Sequence, residues 1–246
     1  MMRLAVLSDI HGNGVALDAV LQDLQRDRIE QVVCLGDTIQ GGPQPVEVLA
    51  RLRELGCPVV MGNTDAWLLT GEDSGQEVVT EERQRMLDAV REWTLAQLSE
   101  DDLQFMRSFQ PTVEMTLEGD RKLLCFHGSP ASFDDVILPD ITRQALGAYP
   151  ADALTGGHTH VQFLRRIDAG PRFFFNPGSV GFVYSHHQEE DDFRADPWAE
   201  YAVLSVDGGR LALEFRRVPF DAARLVEVYY ASGRPYAEQA AAQYGG

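Results

Sequence analysis

The chain has 246 residues, of which 44% are hydrophobic, and this is enough to bury the core of an α/β domain without disulfide bonds. Acidic residues outnumber basic ones by 38 to 21, and the resulting formal charge of -17 repels polyanions, which argues against binding of a nucleic-acid duplex. No apolar run approaches the roughly 20 residues of a membrane span, and the short apolar N-terminus fits a buried strand better than a signal peptide.

The three cysteines indicate a reducing compartment. Cys34, Cys57 and Cys125 lie in apolar runs, where cysteine usually acts as a small hydrophobic residue, and their spacing is not that of a metal site. We therefore expect a cytoplasmic protein.

The first half of the chain alternates β-rich runs with amphipathic stretches, in the order 3–8, 15–25, 31–36, 46–55 and 58–62. This rhythm predicts a βαβαβ unit with a parallel sheet. Residues 80–109 have helical periodicity, and Ser99, followed by three acidic residues, is a cap that opens a second helix there.

Strand-like runs dominate from Thr112 onward. The apolar runs 201–206 and 210–215 flank Asp207-Gly208-Gly209, which predicts a hairpin because these residues tolerate the positive φ of the turn. Two helices are expected at the end of the chain, and the acidic segment 186–198 is expected to be an exposed loop. Since no linker or repeat divides the sequence, we predict a single domain over residues 1–246.

Polar side chains follow the first three predicted strands. Asp9 and His11 are two positions apart at the end of the first strand, so both can face one ion, although Asp9 as a helix cap and His11 as a loop residue is the alternative. Asp37 and Asn63 follow the second and third strands, where ordinary turn chemistry is the alternative. In open α/β sheets, ligands gather beyond the carboxyl ends of the strands.

The histidines favour a metal site over these alternatives. Of the six in the chain, His127, His158 and His160 also follow apolar runs, so that four histidines lie at predicted strand ends. Four imidazoles with carboxylate and amide oxygens, and no thiolate, suit Mn, Fe or Zn in a mixed site. Seven candidate ligands are too many for one ion and about right for two.

These residues resemble the motifs of the calcineurin-like metallophosphoesterase superfamily. The ordered set consists of Asp9-Ile10-His11, Gly36-Asp37, Gly62-Asn63-Thr64-Asp65, His127 and Gly157-His158-Thr159-His160. The segment 176–179, Asn-Pro-Gly-Ser, is similar to the small bacterial members of that superfamily. The resemblance implies an α/β fold, namely a four-layer α/β/β/α sandwich of two mixed β-sheets.

The resemblance also implies two divalent metal ions and a role for each ligand. Mn is the expected metal, and Fe, Zn or Ni are alternatives. Asp9, His11 and His160 would hold one ion, Asn63, His127 and His158 the other, and Asp37 would bridge them. The residues expected to take part in catalysis are Asp37, Asn63, His127 and His160. The implied reaction is hydrolysis of a small phosphate ester by a metal-bridging hydroxide.

Two departures from the motifs of phosphoprotein phosphatases bear on which class of phosphoesterase is expected. Thr64 stands where those enzymes have a general-acid histidine, and residues 38–43 contain no phosphate-binding arginine. We therefore expect a phosphodiesterase, with a nucleotide or dinucleoside-polyphosphate phosphatase and a non-catalytic scaffold as alternatives. Scaffold members should have lost ligands, whereas this chain has all seven.

Four further residues have two interpretations each. His186 and His187 are surface residues, or one of them donates a proton at the site. Asp65 caps a helix that starts at Ala66 or orients a group near the ligands, and Asn13 starts a helix or contacts phosphate.

Overall fold

Nine strands and seven helices are assigned in the part of the chain that the computed structural model describes, which comprises residues 2–72, 80–140, 146, 149–167, 171–188 and 193–246. The strands are β1 (Met2–Leu7), β2 (Gln31–Cys34), β3 (Val113–Leu117), β4 (Arg121–Cys125), β5 (Ala153–Thr155), β6 (Phe163–Arg166), β7 (Phe173–Asn176), β8 (Trp198–Asp207) and β9 (Arg210–Pro219). The helices are α1 (Gly14–Arg26), α2 (Pro45–Leu55), α3 (Asn63–Thr70), α4 (Glu81–Leu95), α5 (Glu100–Arg107), α6 (Ala222–Ser232) and α7 (Ala237–Ala242).

The strands form two mixed sheets. The first has the order β2-β1-β8-β9, in which β1 pairs parallel with β2 and antiparallel with β8. The second has the order β3-β4-β5-β7-β6, in which β4, β5 and β7 are parallel and the two edge strands are antiparallel to their neighbours. The predicted fold class, an α/β sandwich of two mixed sheets, is confirmed.

The core lies on both faces of the sheets, and strand β1 illustrates why. Leu4 and Val6 pack into the layer between the two sheets, whereas Ala5 and Leu7 pack against the helices on the outer face of the first sheet. Since successive side chains of a strand point to opposite faces, a strand covered on both sides is apolar throughout. A further cluster around Phe126 and Phe174 covers the outer face of the second sheet.

Helices α1 and α2 cover the first sheet with apolar stripes. Asn13 is the N-cap of α1 and accepts a hydrogen bond from the Ala16 N–H, which supports the interpretation of Asn13 as a helix start. Helix α2 begins at Pro45 and ends at Gly56, whose φ of +58° gives the left-handed cap that glycine adopts readily.

Two expectations about local structure differ from the observed elements. The predicted third strand at residues 58–62 is reduced to two bridge residues, Val59 beside Cys34 and Val60 beside Gln110, so the chain turns into a helix almost at once. Helix α3 begins at Asn63 and not at Ala66. The reason is that the extended Gly62 is already its N-cap, with Asp65 accepting the Gly62 N–H in the first turn.

The remaining predicted elements are present. Residues 80–109 form α4 and α5, and Ser99 opens α5 with a reciprocal capping box to Asp102. The predicted hairpin joins β8 and β9 through Gly208 and Gly209, both at positive φ, and the two expected C-terminal helices are α6 and α7. In the predicted acidic loop, residues 189–192 lie outside the described residues. Within the described ranges, no helix is long and apolar enough to cross a membrane.

Candidate metal centre

Six of the seven predicted ligands lie in the loops after β1, β2, β4 and β5, and the seventh, Asn63, is the first residue of α3. Two groups of three donors have their ligand atoms within 4.8 Å of one another, and they consist of Asp9, His11 and His160 and of Asp37, His127 and His158. The seventh residue, Asn63, joins the second group, because its Oδ1 lies 2.9 Å from His127 Nε2. The tertiary fold thus brings motifs that are distant along the chain into one cluster.

Asp37 lies between the two groups. Its Oδ2 is 3.7 Å from His11 Nε2 in the first group, and its Oδ1 is 3.5 Å from His127 Nε2 in the second. The groups are also linked through Asp9, whose Oδ2 accepts the backbone N–H of His158 at 3.1 Å. One carboxylate therefore faces imidazoles of both groups.

The imidazoles of the first group point their outer nitrogens at each other. Nδ1 of His11 lies 3.0 Å from the Gln40 carbonyl and Nδ1 of His160 lies 2.7 Å from the Phe182 carbonyl, so both Nδ1 atoms are assigned as donors. The two Nε2 atoms, 3.1 Å apart, then both offer lone pairs. Only a proton or a cation between them satisfies this arrangement, and histidines that hold metals are oriented by backbone carbonyls in the same way.

The second group repeats this arrangement. His127 is fully buried, and its Nδ1 lies 2.8 Å from the Leu35 carbonyl, which leaves Nε2 facing the oxygen of Asn63 and the carboxylate of Asp37. In addition, Asp9 Oδ1 is buried and accepts no hydrogen bond from a described residue. Buried acceptors without donors are costly unless a cation binds them. The nitrogen and oxygen donors of both groups therefore fit divalent cations of the Mn, Fe, Zn or Ni type.

The backbone of this region is strained. Five of the seven candidate ligands have φ between 48° and 68°, namely Asp9, His11, Asp37, His158 and His160. Aspartate and histidine tolerate this left-handed region better than most residues, but each such position still costs on the order of 1 kcal/mol and occurs mainly at functional sites. The strain turns the side chains sharply out of the strand ends and towards one another.

Two motif glycines allow the close approach of the loops. A Cβ atom at position 62 would lie 2.2 Å from Asp37 Oδ1, and one at position 157 would lie 1.9 Å from Ser8 Oγ. Both positions therefore require glycine, because the backbone passes directly against the residues that carry the candidate ligands.

The electrostatics couple carboxylates to imidazoles. Burial alone would raise the pKa of Asp9, but the positive charge of a protonated His160, whose Nε2 lies 3.3 Å from Asp9 Oδ1, lowers this pKa to about 2. Burial alone would lower the pKa of His127, yet the charge and hydrogen bond of Asp37 raise it to about 10. Burial alone would also raise the pKa of Asp37, but the charge and hydrogen bond of His127, together with the charges of His11 and His158, hold this pKa far below its usual range. The carboxylates thus remain anionic and attract positive charge.

Asp65 supports the cluster from behind. It is fully buried and accepts hydrogen bonds from the backbone N–H and the hydroxyl of Thr38, at 2.9 and 2.7 Å, next to Asp37. Burial and the charge of Asp37 raise its pKa to about 6. Asp65 therefore holds the loop that carries Asp37, and within the first turn of α3 it accepts the N–H of Gly62, which is the N-cap in place of Asp65.

A cleft of about 770 Å³ opens over the two groups. Asp37, Asn63 and His158 form part of its floor, and helices α3 and α4 contribute one wall with Trp67 and Arg83. The opposite wall comes from the loop after β7 and from the C-terminal segment, with residues such as Phe182, Tyr184 and Arg234. Sequence reasoning did not find these wall residues, because they belong to no motif and are distant from the ligands along the chain.

The two remaining histidines lie outside the ligand groups. His186 is exposed, and its Nε2 lies 3.0 Å from the carbonyl oxygen of Thr159, between two candidate ligands. Its ring packs against Tyr184 in a tilted arrangement, with 4.7 Å between centroids, and neither His186 nor His187 lines the cleft. His187 is also exposed. Their placement agrees with the interpretation as surface residues.

Comparison with known proteins places this geometry in a family. The family model described as the calcineurin-like phosphoesterase superfamily domain matches residues 2–208. An uncharacterized protein of Methanocaldococcus jannaschii is 29% identical over 193 residues, which cover 72% of this chain and 76% of the relative.

Two solved structures are similar over nearly the whole chain. The crystal structure of a metallophosphoesterase from Sphaerobacter thermophilus has a TM-score of 0.76 and 27% identity, and the match covers 99% of this chain and 98% of the other. A hypothetical protein from Pyrococcus horikoshii shares the fold, with a TM-score of 0.77, 22% identity and 98% of each chain covered. The chain belongs to the calcineurin-like phosphoesterase superfamily.

Proposed function

We propose that the chain is a dinuclear metal-dependent phosphoesterase that hydrolyses phosphodiesters. The position of Asp37 is the observation that supports this proposal most directly, because its two carboxylate oxygens face imidazoles of both ligand groups, at 3.7 and 3.5 Å. In this proposal Asp9, His11 and His160 hold one ion, Asn63, His127 and His158 hold the other, and Asp37 is shared. Manganese is the expected metal.

Bound at these positions, two divalent ions would lower the pKa of water and stabilise negative charge on phosphoryl oxygens. The residues of the chain orient and hold this centre. The carbonyls of Gln40, Leu35 and Phe182 fix the imidazole rings, while Asp65 holds the loop of Asp37. Asp37, Asn63, His127 and His160 are the residues that we assign to the reaction.

Protonation of the leaving group limits the range of substrates. Thr64 lines the cleft, and its hydroxyl, which forms no hydrogen bond with a described residue, is too weak an acid to replace an imidazole. The histidines that line the cleft are all candidate ligands. We therefore expect esters of acidic alcohols such as p-nitrophenol to be hydrolysed much faster than simple alkyl esters.

The size and charge of the molecule favour a small substrate. A cleft of about 770 Å³ is of the size that accommodates small ligands. The formal charge of -17 disfavours a nucleic-acid duplex. We propose a small phosphate ester as the binding partner.

The proposal is tested with a panel of bis(p-nitrophenyl) phosphate, p-nitrophenyl phosphate and an alkyl diester, each assayed with Mn, Ni, Zn and Mg. Metal-dependent hydrolysis that is fastest for the aryl diester supports the proposal. Faster hydrolysis of the monoester would replace the phosphodiesterase by a phosphomonoesterase. Less than one bound ion per chain, together with no hydrolysis after addition of Mn, would favour the non-catalytic scaffold.

A nucleotide phosphatase is the second candidate, and the aromatic wall of the cleft favours it. Trp67, Phe133, Phe182 and Tyr184 line the cleft and offer flat faces on which a base could stack. Nucleoside monophosphates and dinucleoside polyphosphates therefore belong in the same panel. A kcat/KM for one of them above that of every diester would establish this candidate.

A further inference from the structure

The C-terminal segment, residues 220–246, forms part of the wall of the cleft. The Tyr244 hydroxyl donates to the Gly181 carbonyl at 3.1 Å, and Arg234 Nε donates to the Gly41 carbonyl at 2.7 Å. The residues of this segment that line the cleft are Tyr229, Arg234, Tyr236, Gln239, Ala240 and Gln243. The whole segment follows residue 208, where the match to the family model ends. This part of the wall therefore lies outside the range that the family model matches.

Arg234 is a half-buried cation without a counterion among the described residues. Its Nε donates to Gly41, and its Nη1 donates to the carbonyls of Pro235 and Tyr236 at 2.8 and 3.3 Å. The contacts within the described ranges include no acceptor for Nη2 and no ion pair for the guanidinium. Burial lowers the pKa of Arg234, and this effect outweighs the contribution of Tyr229. A charge removed from water in this way gains most from an anionic ligand.

The guanidinium is anchored next to the metal centre. Gly41, which accepts from Arg234, directly follows Gln40, whose carbonyl lies 3.0 Å from His11 Nδ1. Neighbouring peptide groups of one loop thus hold a candidate ligand and the cation. Arg83 also lines the cleft, but it is exposed, whereas three carbonyls position Arg234 in advance. Such preorganisation lowers the entropic cost of binding an anion.

We propose that Arg234 binds a phosphate oxygen of the substrate through its free Nη2 edge and thereby determines specificity for anionic phosphate esters. This inference rests on the proposed function. It assigns a phosphate-binding cation to the C-terminal segment of a chain whose residues 38–43 contain none. The planar guanidinium suits phosphate because it offers several directed donors on one edge.

The test compares Arg234→Met with the matched control Arg194→Met. Arg194 also holds the C-terminal segment, since its Nη1 donates to the Ala242 carbonyl at 3.0 Å, but it does not line the cleft. In Arg234→Met we expect the Kd of inorganic phosphate, measured by calorimetry, and the KM for bis(p-nitrophenyl) phosphate to rise about 10- to 100-fold. The kcat should change much less, Arg234→Lys should recover part of the loss, and Arg194→Met should match the wild type.

The outcomes separate this inference from the proposed function. Wild-type values of phosphate Kd and KM in folded Arg234→Met would overturn the inference and leave the proposed function intact. Phosphate binding that depends on Arg234, in a wild-type protein that hydrolyses no ester with any metal, would overturn the proposed function and retain the inference. If Arg234→Met does not fold, Arg234→Gln replaces it, because glutamine keeps a donor for Gly41 without the charge, and the same criteria apply.

Discussion

Two clusters of polar residues differ in what their atoms face. In the metal centre, lone pair faces lone pair, as for the Nε2 atoms of His11 and His160, which are 3.1 Å apart. The second cluster, which we call the Arg216 cluster, lies where the end of α1 meets the β8–β9 hairpin, and its members are Asp23, Asp27, Tyr201, Glu214 and Arg216. In this cluster donors face acceptors.

The contacts of Arg216 show this pairing. Its Nη1 donates to Asp23 at 2.9 Å, its Nη2 lies 2.5 Å from Asp27, and its Nε donates to Glu214 at 2.7 Å. The Tyr201 hydroxyl also donates to Asp23, at 2.6 Å. The cluster therefore satisfies its own hydrogen-bonding groups, whereas the groups of the metal centre turn acceptor atoms towards one another.

The backbone conformation also differs between the two clusters. Five candidate ligands have left-handed φ values, whereas no member of the Arg216 cluster does. Strained backbone and converging acceptors reduce the stability of the folded chain. Such features persist where the binding of a ligand offsets this loss of stability. The metal centre is thus organised for binding, whereas the Arg216 cluster is organised for stability.

The largest expected effect is the loss of turnover in Asp37→Asn. Asparagine keeps an acceptor for the Thr64 N–H but removes the charge that faces both groups, so we expect metal-dependent hydrolysis to fall about 10³-fold, which corresponds to roughly 4 kcal/mol of lost transition-state stabilisation. The measurement is kcat/KM for bis(p-nitrophenyl) phosphate with Mn. Asp207→Asn, in the exposed hairpin turn, is the control and should match the wild type. Unchanged turnover in Asp37→Asn would refute the proposed centre.

Removal of divalent ions should destabilise the fold through the metal centre alone. Ions that bind only the folded state add roughly 4 kcal/mol when their free concentration is a thousand times Kd. We expect a chelator to lower Tm in the wild type and, by a similar amount, in Arg216→Met. Asp37→Asn should respond much less. An equal response in Asp37→Asn would mean that the stabilising ions bind elsewhere.

Arg216→Met should destabilise the protein without affecting catalysis. The change leaves Asp23 and Asp27 without their main donor, and since the Arg216 side chain is only 14% exposed we expect a loss of about 2 kcal/mol in the free energy of unfolding. Urea denaturation measures this loss, and kcat should stay at the wild-type value. The control is Arg26→Met. Because Arg26 is 72% exposed, its pair with Asp23 should add no more than about 0.5 kcal/mol to the free energy of unfolding.

The smallest expected effect is a pH dependence of the stability difference between the wild type and Arg216→Met. The hydrogen bond and charge of Arg216 lower the pKa of Asp27 below its ordinary value. A carboxyl group with a lowered folded-state pKa adds stability above its unfolded pKa of about 3.9 and loses it as the pH falls through the folded value. The stability gap between the wild type and Arg216→Met should therefore narrow from pH 5 to pH 3. A gap that widens on acidification would contradict this assignment.

The candidate ligands could be predicted from sequence because each follows an apolar run within a few residues. Asp9, Asp37 and His127 come two or three residues after strands, and strand ends are visible in the hydrophobic pattern. The prediction of a third strand at residues 58–62 was wrong, because Val59 and Val60 form only bridges before Gly62 caps α3. The apolar pattern is the same for a bridge and for a strand, so the sequence does not distinguish them.

The partners of the ligands could not be predicted. The Nδ1 atoms of His11, His127 and His160 lie against carbonyls of Gln40, Leu35 and Phe182, and a carbonyl has no sequence signature. The same holds for Arg234, which belongs to no motif and reaches Gly41 across 193 residues.

The sequence by itself determined the alternation of strands and helices and the chemistry of the ligands, because both are local: hydrophobic period sets the elements, and short motifs supply the side chains. Only the tertiary structure decided that Asp37 lies between two groups, that His11 meets His160 across 149 residues, and that the C-terminal segment supplies a cation to the cleft. The physical reason is that these are distances between distant parts of the chain, which the packing of two sheets and the strained loops at their carboxyl ends establish together.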